Sequence, residues 1–221
     1  MHIDIISDTI CPWCFIGKRR LERALQSRPE LEVQIGWRPF QLNPDMPSEG
    51  MARSEYLARK FGGSNRADKI YDSIRAAGLE EGIAFEFGRI GRAPNTIASH
   101  RLIRWAASAG VQHQVVEKIF ERYFIRGDDI GDAAVLTAVA REAGMDGDLV
   151  AELLAGDADV ELVRSEDNLA RELGIAGVPC FIIERKYAIS GAQDPTIFHQ
   201  VFDFAQRDAA TAAPQAAPAE T

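Results

Sequence analysis

The chain has 221 residues, with 33 Asp and Glu against 25 Lys and Arg, a formal net charge of −8, 46% hydrophobic residues and three cysteines. That length buries a core without disulfide staples, and three cysteines are too few for a secreted disulfide framework. The acidity, with no basic stripe, argues against a nucleic-acid surface, and no apolar stretch is long enough to span a bilayer.

Met1-His2 runs directly into the first strand with no export signal ahead of it, so the expected compartment is the cytoplasm, where a dithiol rests largely reduced. Ile3-Asp4-Ile5-Ile6-Ser7-Asp8 is an apolar extended run, and Phe15 to Leu25 carries helical spacing. Cys11-Pro12-Trp13-Cys14 therefore falls at a strand-to-helix corner. Residues 31–40 place Leu31, Val33, Ile35 and Trp37 at every second position, the period of a half-buried strand. Strand, helix and strand at this length predict a βαβ unit with parallel strands.

The two prolines between Gln41 and Pro47 lead the chain out of the sheet. From about 50 to about 157 the pattern is helical, clearest at 95–109 and 112–125. Gly78, Gly110, Gly127, Gly144 and Gly156 stand where helices are expected to end, and Asp132 and Asp146 are expected N-caps. Ile83 to Gly88 is the one strand-like piece in this region.

A helix over about 159–173 stops at Gly174. Val178 to Ile183 and Tyr187 to Ser190, joined by Glu184-Arg185-Lys186, predict a hairpin. A last helix begins at Pro195 and turns Ile197, Val201, Phe202 and Ala205 inward. The tail from about Arg207, rich in Ala, Pro and Thr, is expected to stay outside the fold. The expected organisation is thus a discontinuous α/β domain over 1–45 and 158–206, an all-helical insertion over 46–157, and a tail over 207–221. The dithiol sits at the carboxyl end of the first strand, the edge at which open α/β sheets bind ligands.

A cysteine in the first turn of a helix feels the partial positive charge of unpaired backbone N–H groups, which stabilises a thiolate. Cys11 is the expected attacking sulfur. Cys14, three residues on, is placed to resolve a mixed disulfide formed at Cys11. A two-residue spacer also suits zinc, but only Cys180 and four histidines remain as further ligands, and Pro12-Trp13 is a poor turn for a zinc knuckle. Two inert buried thiols are the remaining alternative.

Cys11-Pro-Trp-Cys-Phe-Ile-Gly-Lys18, Trp37-Arg-Pro-Phe-Gln-Leu-Asn-Pro44, Pro94-Asn-Thr96 with His100-Arg101, and Gly177-Val-Pro179 resemble motifs of the thioredoxin superfamily. Within it the chain resembles the DsbA family with a helical insertion, in particular the FrnE-like cytoplasmic dithiol-disulfide oxidoreductases, over residues 1 to about 205. The resemblance implies a thioredoxin-like fold and a cis Val178-Pro179 bond facing the dithiol. Pro179 has no N–H to compete with substrate, and the Val178 backbone is then free to pair with an extended substrate segment beside Pro12 and Trp13. It also implies that His100 faces the cleft, although a core histidine fits the sequence equally.

Three departures qualify the match. Cys180 follows the proline, where relatives carry other residues, and raises the questions of an alternative disulfide, a third metal ligand or a small buried side chain. Ile5 occupies the position of a buried acid that takes the resolving thiol's proton in relatives, which leaves Asp8 or a water for that work. Trp13 replaces the spacer histidine of DsbA, which predicts a less oxidising disulfide, at roughly −200 to −270 mV rather than about −120 mV. Trp37 and Trp105 read as core, and Lys18 and Arg19 as solvated helix charges.

The implied function is a thiol-disulfide oxidoreductase or isomerase acting on protein or small-thiol disulfides, with no bound cofactor or metal, no nucleic-acid or membrane partner, and a homodimer by analogy. One alternative is a glutathione-dependent isomerase or transferase resembling the 2-hydroxychromene-2-carboxylate isomerase and kappa-class branch, with glutathione as co-substrate. That branch uses a Ser and needs no second thiol, so the Cys11 and Cys14 pair argues against it. The other alternative is a zinc-binding or holdase module using Cys11, Cys14, Cys180 and a histidine.

Overall fold

Alternating apolar residues set the first strand. In β1 (His2–Ser7) Ile3 and Ile5 are buried, and the strand pairs in parallel with β2 (Gln34–Pro39), Ile3 beside Ile35 and Ile5 beside Trp37. The crossover is α1 (Pro12–Gln26). A computed structural model describes the chain over residues 1–62 and 64–212, with backbone only at 64–68 and 212. The second strand is shorter than the period suggests. Leu31 and Val33 pack against the core, but the Leu31 N–H bonds back to the Arg28 carbonyl in a turn, and the ladder begins at Gln34.

Between β2 and the last third of the chain lie α2 (Arg53–Phe61), α3 (Ser64–Glu80), α4 (Ile97–Ser108), α5 (Gln112–Glu121), α6 (Ala133–Glu142) and α7 (Gly147–Ala155). Asp132 and Asp146 cap α6 and α7, accepting from the N–H groups of Ala134 at 2.7 Å and of Asp148 at 3.0 Å. An antiparallel ribbon of two residues a side, β3 (Met51–Ala52) and β4 (Arg92–Ala93), lies within this region of the chain. The strand-like Ile83 to Gly88 is not a strand. Ile83, Phe85 and Phe87 are buried as a strand's inner face would be, yet the Glu86 N–H bonds to the Phe124 carbonyl and Phe87–Arg89 is a 3-10 turn. Gly78 is not a helix end either. It lies inside α3, where a Cβ would stand 2.4 Å from the Phe85 ring.

The chain returns through α8 (Val160–Glu172), β5 (Cys180–Ile183), β6 (Tyr187–Ser190) and α9 (Pro195–Ala212). The sheet order is β2-β1-β5-β6, with β5 antiparallel to both neighbours. This is the thioredoxin-like α/β fold expected from the sequence, with helices interposed between β2 and α8. The last helix outruns the expected boundary at Arg207 because Asp208 pairs with Lys186 and accepts from the Tyr187 hydroxyl, tying 207–212 to β6. The rest of the expected tail, 213–221, lies outside the described residues.

The core joins α1 to the interposed helices. Phe15 stacks on Phe120 at 5.1 Å and meets Phe85 edge-on at 6.1 Å. Lys18 is not a solvated charge. It is 2% exposed, its ammonium held 2.5 Å from both Glu22 and Glu117, because α5 brings a carboxylate that sequence proximity does not reveal. Trp37 donates to Nδ1 of His113 at 3.3 Å, leaving Nε2 to donate to Glu22 at 2.7 Å. Burial would raise the Glu22 carboxyl, but His113, Lys18 and Arg19 outweigh it and hold it at about 2, against an ordinary 4.5. A depressed folded-state value stabilises the fold above pH 4.5 and that contribution is lost as pH falls toward about 2. The stability gap between wild type and Glu22→Gln in urea unfolding should therefore close as pH falls from 6 to about 2. A gap that stays constant would show that ionisation of Glu22 does not support the fold.

Candidate active site

Ser7 ends β1, and the Cys11 N–H bonds to the Asp8 carbonyl at 3.1 Å, which turns the chain sharply into α1. Cys11 is the N-cap, with extended backbone and no side-chain cap, and Pro12 opens the helix, where its missing N–H costs nothing. The helix starts earlier than its apolar spacing indicates, so Cys14 lies in the first turn. Both thiols are free. Cys11 is 5% exposed and Cys14 1%. Burial, then the neighbouring Cys11, pushes the Cys14 thiol well above its ordinary range, against weaker opposition from the Ser7 side chain and the Asp8 backbone. Cys14 is therefore held as the protonated, inner member of the pair.

The Val178-Pro179 peptide bond is cis. The Cys11 thiol donates to the Val178 carbonyl at 3.6 Å, which brings the loop before β5 directly over the dithiol. Gly17 makes this approach feasible. A Cβ there would stand 2.9 Å from Pro179 Cγ and 3.1 Å from the Phe181 ring. Gly17→Ala should lose about 1–3 kcal/mol to overpacking, offset by about 1 kcal/mol of helix propensity, and should slow turnover by displacing Pro179. Urea midpoints and turnover measured together check this. Unchanged turnover with raised stability would show that the loop has room to spare.

A cavity of about 280 Å³ opens beside the sulfurs, lined by Cys11, Pro12, Trp13 and Val178 on one side and by residues of α2 and α3 on the other. Trp13, 37% exposed, stands at its rim. The sequence-predicted residues Cys11, Cys14, Pro12, Trp13, Val178 and Pro179 thus come together in one place.

His100 does not line that cavity. It is 4% exposed, and its Nε2 faces Asp8 Oδ1 at 3.4 Å. Asp8 is fully buried. Its other oxygen accepts from the Leu42 N–H at 2.7 Å, while among the described residues Oδ1 and His100 Nε2 have no hydrogen-bond partner. Arg101, next to His100, donates to the carbonyls of Leu153, Gly156 and Ala158 and braces the loop before α8.

Cys180 packs in a different apolar cluster from the dithiol. It pairs with Ile6 in the ladder and packs with Ile6, Phe40 and Ala170 under α8, whereas Cys11 and Cys14 belong to the main core. Burial raises its thiol, as suits an inert apolar position. Among the described residues no three His, Cys, Asp or Glu side chains gather as metal ligands.

Arg53, Tyr56 and Lys60 of α2, with Tyr71 of α3 and Tyr123, line the cavity and carry no motif. Their spacing at 53, 56 and 60 puts three polar heads on one helix face, a signal the sequence held but that only the position of α2 makes meaningful.

The chain that carries this dithiol and cis-proline loop matches the family model for the DSBA-like thioredoxin domain over residues 2–203. The chain belongs to that family. The DsbA-like chain is 26% identical over 208 residues to the uncharacterized protein YwbO of Bacillus subtilis strain 168, covering 94% of this chain and 98% of that one. It superposes on the crystal structure of the probable DsbA oxidoreductase SCO1869 from Streptomyces coelicolor with a TM-score of 0.85 and 30% identity, covering 100% of this chain and 93% of the other. The fold is shared with the cytosolic disulfide reductase DsbM of Pseudomonas aeruginosa, at a TM-score of 0.65 and 18% identity over 94% and 99% of the two chains. Among the described residues no helix is long and apolar enough to cross a membrane.

Proposed function

We propose that this DsbA-like protein is a FrnE-like thiol-disulfide oxidoreductase in which Cys11 and Cys14 cycle between dithiol and disulfide. The observation that carries the reading is the graded pair: Cys11 at the N-cap beneath the Val178 carbonyl, and Cys14 one turn inward with its thiol held protonated.

The Cys11 thiolate attacks one sulfur of a substrate disulfide. The substrate S–S bond breaks, one substrate thiolate leaves and takes a proton, and a mixed disulfide forms at Cys11. Cys14 then loses its proton and attacks Cys11 Sγ, releasing the second substrate thiol and leaving a Cys11–Cys14 disulfide. Two electrons have passed to the substrate. A thiol reductant, for which glutathione is the proposed co-substrate, returns them, and the same steps run backwards oxidise a substrate dithiol. An extended substrate segment pairs with the Val178 backbone, which gives affinity with little sequence preference.

The reading is tested by equilibrating the protein in glutathione redox buffers and mapping the cysteines by mass. The expected result is one Cys11–Cys14 disulfide, unchanged by Cys180→Ser, at roughly −200 to −270 mV, because Trp13 supplies no imidazolium to stabilise the reduced form. Glutathione held on Cys11 without resolution would instead support the glutathione-dependent isomerase or transferase alternative.

A further inference from the structure

The wall of the dithiol cavity contributed by α2 and α3 has a charge opposite to that of the chain. Acidic residues outnumber basic ones 33 to 25 overall, yet among the described residues the cavity is lined by Arg53 and Lys60 and by no Asp or Glu. Arg53 is nine-tenths buried, at 9% exposure, and among the described residues no carboxylate pairs with it. Its guanidinium rests over the Tyr71 ring, 5.2 Å from the centroid. A guanidinium removed from water without a counter-ion is costly, and a fold tolerates it where a ligand supplies the missing charge. Lys60 extends the same face. Its side chain is exposed, and its ammonium donates to the Tyr56 hydroxyl at 2.6 Å and lies within 5.1 Å of the Tyr56 and 6.0 Å of the Phe61 ring centroids. Between these cations and Cys11 the walls are aromatic and aliphatic, with Phe61, Ile74 and Phe87 beside Tyr71.

We propose that this wall is a receptor for a carboxylate carried on an aromatic group, with Arg53 taking the carboxylate, Lys60 steering it and the aromatic walls holding the ring. The disulfides the protein reduces best then bear such an acid close to the sulfur, and this second statement rests on the oxidoreductase reading. Arginine suits the role because its planar fork meets both carboxylate oxygens at once. The cavity volume of about 280 Å³ fits one substituted ring rather than a folded segment.

Calorimetric binding of 2-naphthoate and of its uncharged isostere 2-naphthamide to the reduced wild-type protein needs no turnover. The carboxylate is expected to bind about tenfold more tightly, and Arg53→Gln to bring the two within about twofold while leaving the amide unchanged. Should Arg53→Gln fail to fold, Lys60→Gln, at an exposed position, should still reduce the preference about threefold. Equal binding of acid and amide by the wild type, or a full preference retained in both variants, overturns the receptor. A parallel comparison of acetyl-Phe-Glu amide with acetyl-Phe-Gln amide distinguishes a peptide-borne carboxylate from a free aromatic acid. In turnover, an aromatic disulfide bearing carboxylates should be preferred to an uncharged dipyridyl disulfide, and Arg53→Gln should remove that preference. If naphthoate binds selectively but neither disulfide is reduced, the oxidoreductase reading fails and the receptor stands. If both disulfides are reduced alike and acid and amide bind alike, the receptor fails and the oxidoreductase stands.

Discussion

Cys11→Ser is expected to abolish disulfide turnover, with a loss on the order of 10⁴-fold or more, whereas Cys14→Ser should stop the reaction after its first step and accumulate a mixed disulfide. The asymmetry follows from burial. Both sulfurs are nearly enclosed, but Cys11 lines the cavity, while Cys14, 1% exposed and with its thiol pushed up by burial, does not. A substrate sulfur therefore reaches Cys11 first. A serine hydroxyl at 11 neither ionises near neutral pH nor forms a bond to sulfur that a thiol can exchange, so the first step is lost outright. In Cys14→Ser the first step survives and only the resolving attack is missing. Whole-protein mass spectrometry after brief exposure to substrate should show an adduct equal to one substrate thiol on Cys14→Ser and none on Cys11→Ser. An adduct on the Cys11 variant, located at Cys14, would reverse the assigned roles.

Local signals in the sequence carried the frame of the site, and long-range partners decided the rest. The apolar run from Ile3, the period of two through Leu31, Val33, Ile35 and Trp37 and the strand-to-helix corner at Cys11 all depend on neighbours a few residues apart, and the structure keeps them except that the ladder begins only at Gln34. His100 was a different problem. Its position on a helix is local, but which way it faces depends on Asp8, ninety-two positions earlier, and of the cleft and core positions that the sequence left open the structure shows a buried one beside Asp8. Lys18 looked solvated because its second counter-ion, Glu117, comes from α5. The ribbon of Met51–Ala52 with Arg92–Ala93 is too short to show any period. Asp208 holds 207–212 in α9 through Lys186 and Tyr187, contacts that composition does not display. Arg53 is likewise an ordinary helix residue until α2 is laid against the dithiol.

Phe15→Ala should be the most damaging single change outside the sulfurs, costing about 3–5 kcal/mol in urea unfolding. Phe15 is 2% exposed and sits beside Cys14, on the side of α1 that meets the interposed helices. Its ring stacks on Phe120 at 5.1 Å, lies 6.3 Å from Phe124 and meets Phe85 edge-on, with the Arg19 guanidinium 5.1 Å above it. Truncation leaves a void bounded by three rings fixed by their own packing, so the site collapses poorly and the cavity penalty adds to the lost transfer energy. Native domains are stable by only about 5–15 kcal/mol, so the loss takes roughly a fifth or more of the total. Phe15→Leu, which keeps most of the volume, should cost less than about 1.5 kcal/mol. The contrast also separates packing from chemistry. Both variants keep the Cys11–Cys14 pair, so in the folded protein the Leu variant should reduce disulfides at close to the wild-type rate. A Leu variant as unstable as the Ala variant would mean that ring stacking, rather than filled volume, holds α1 against α5.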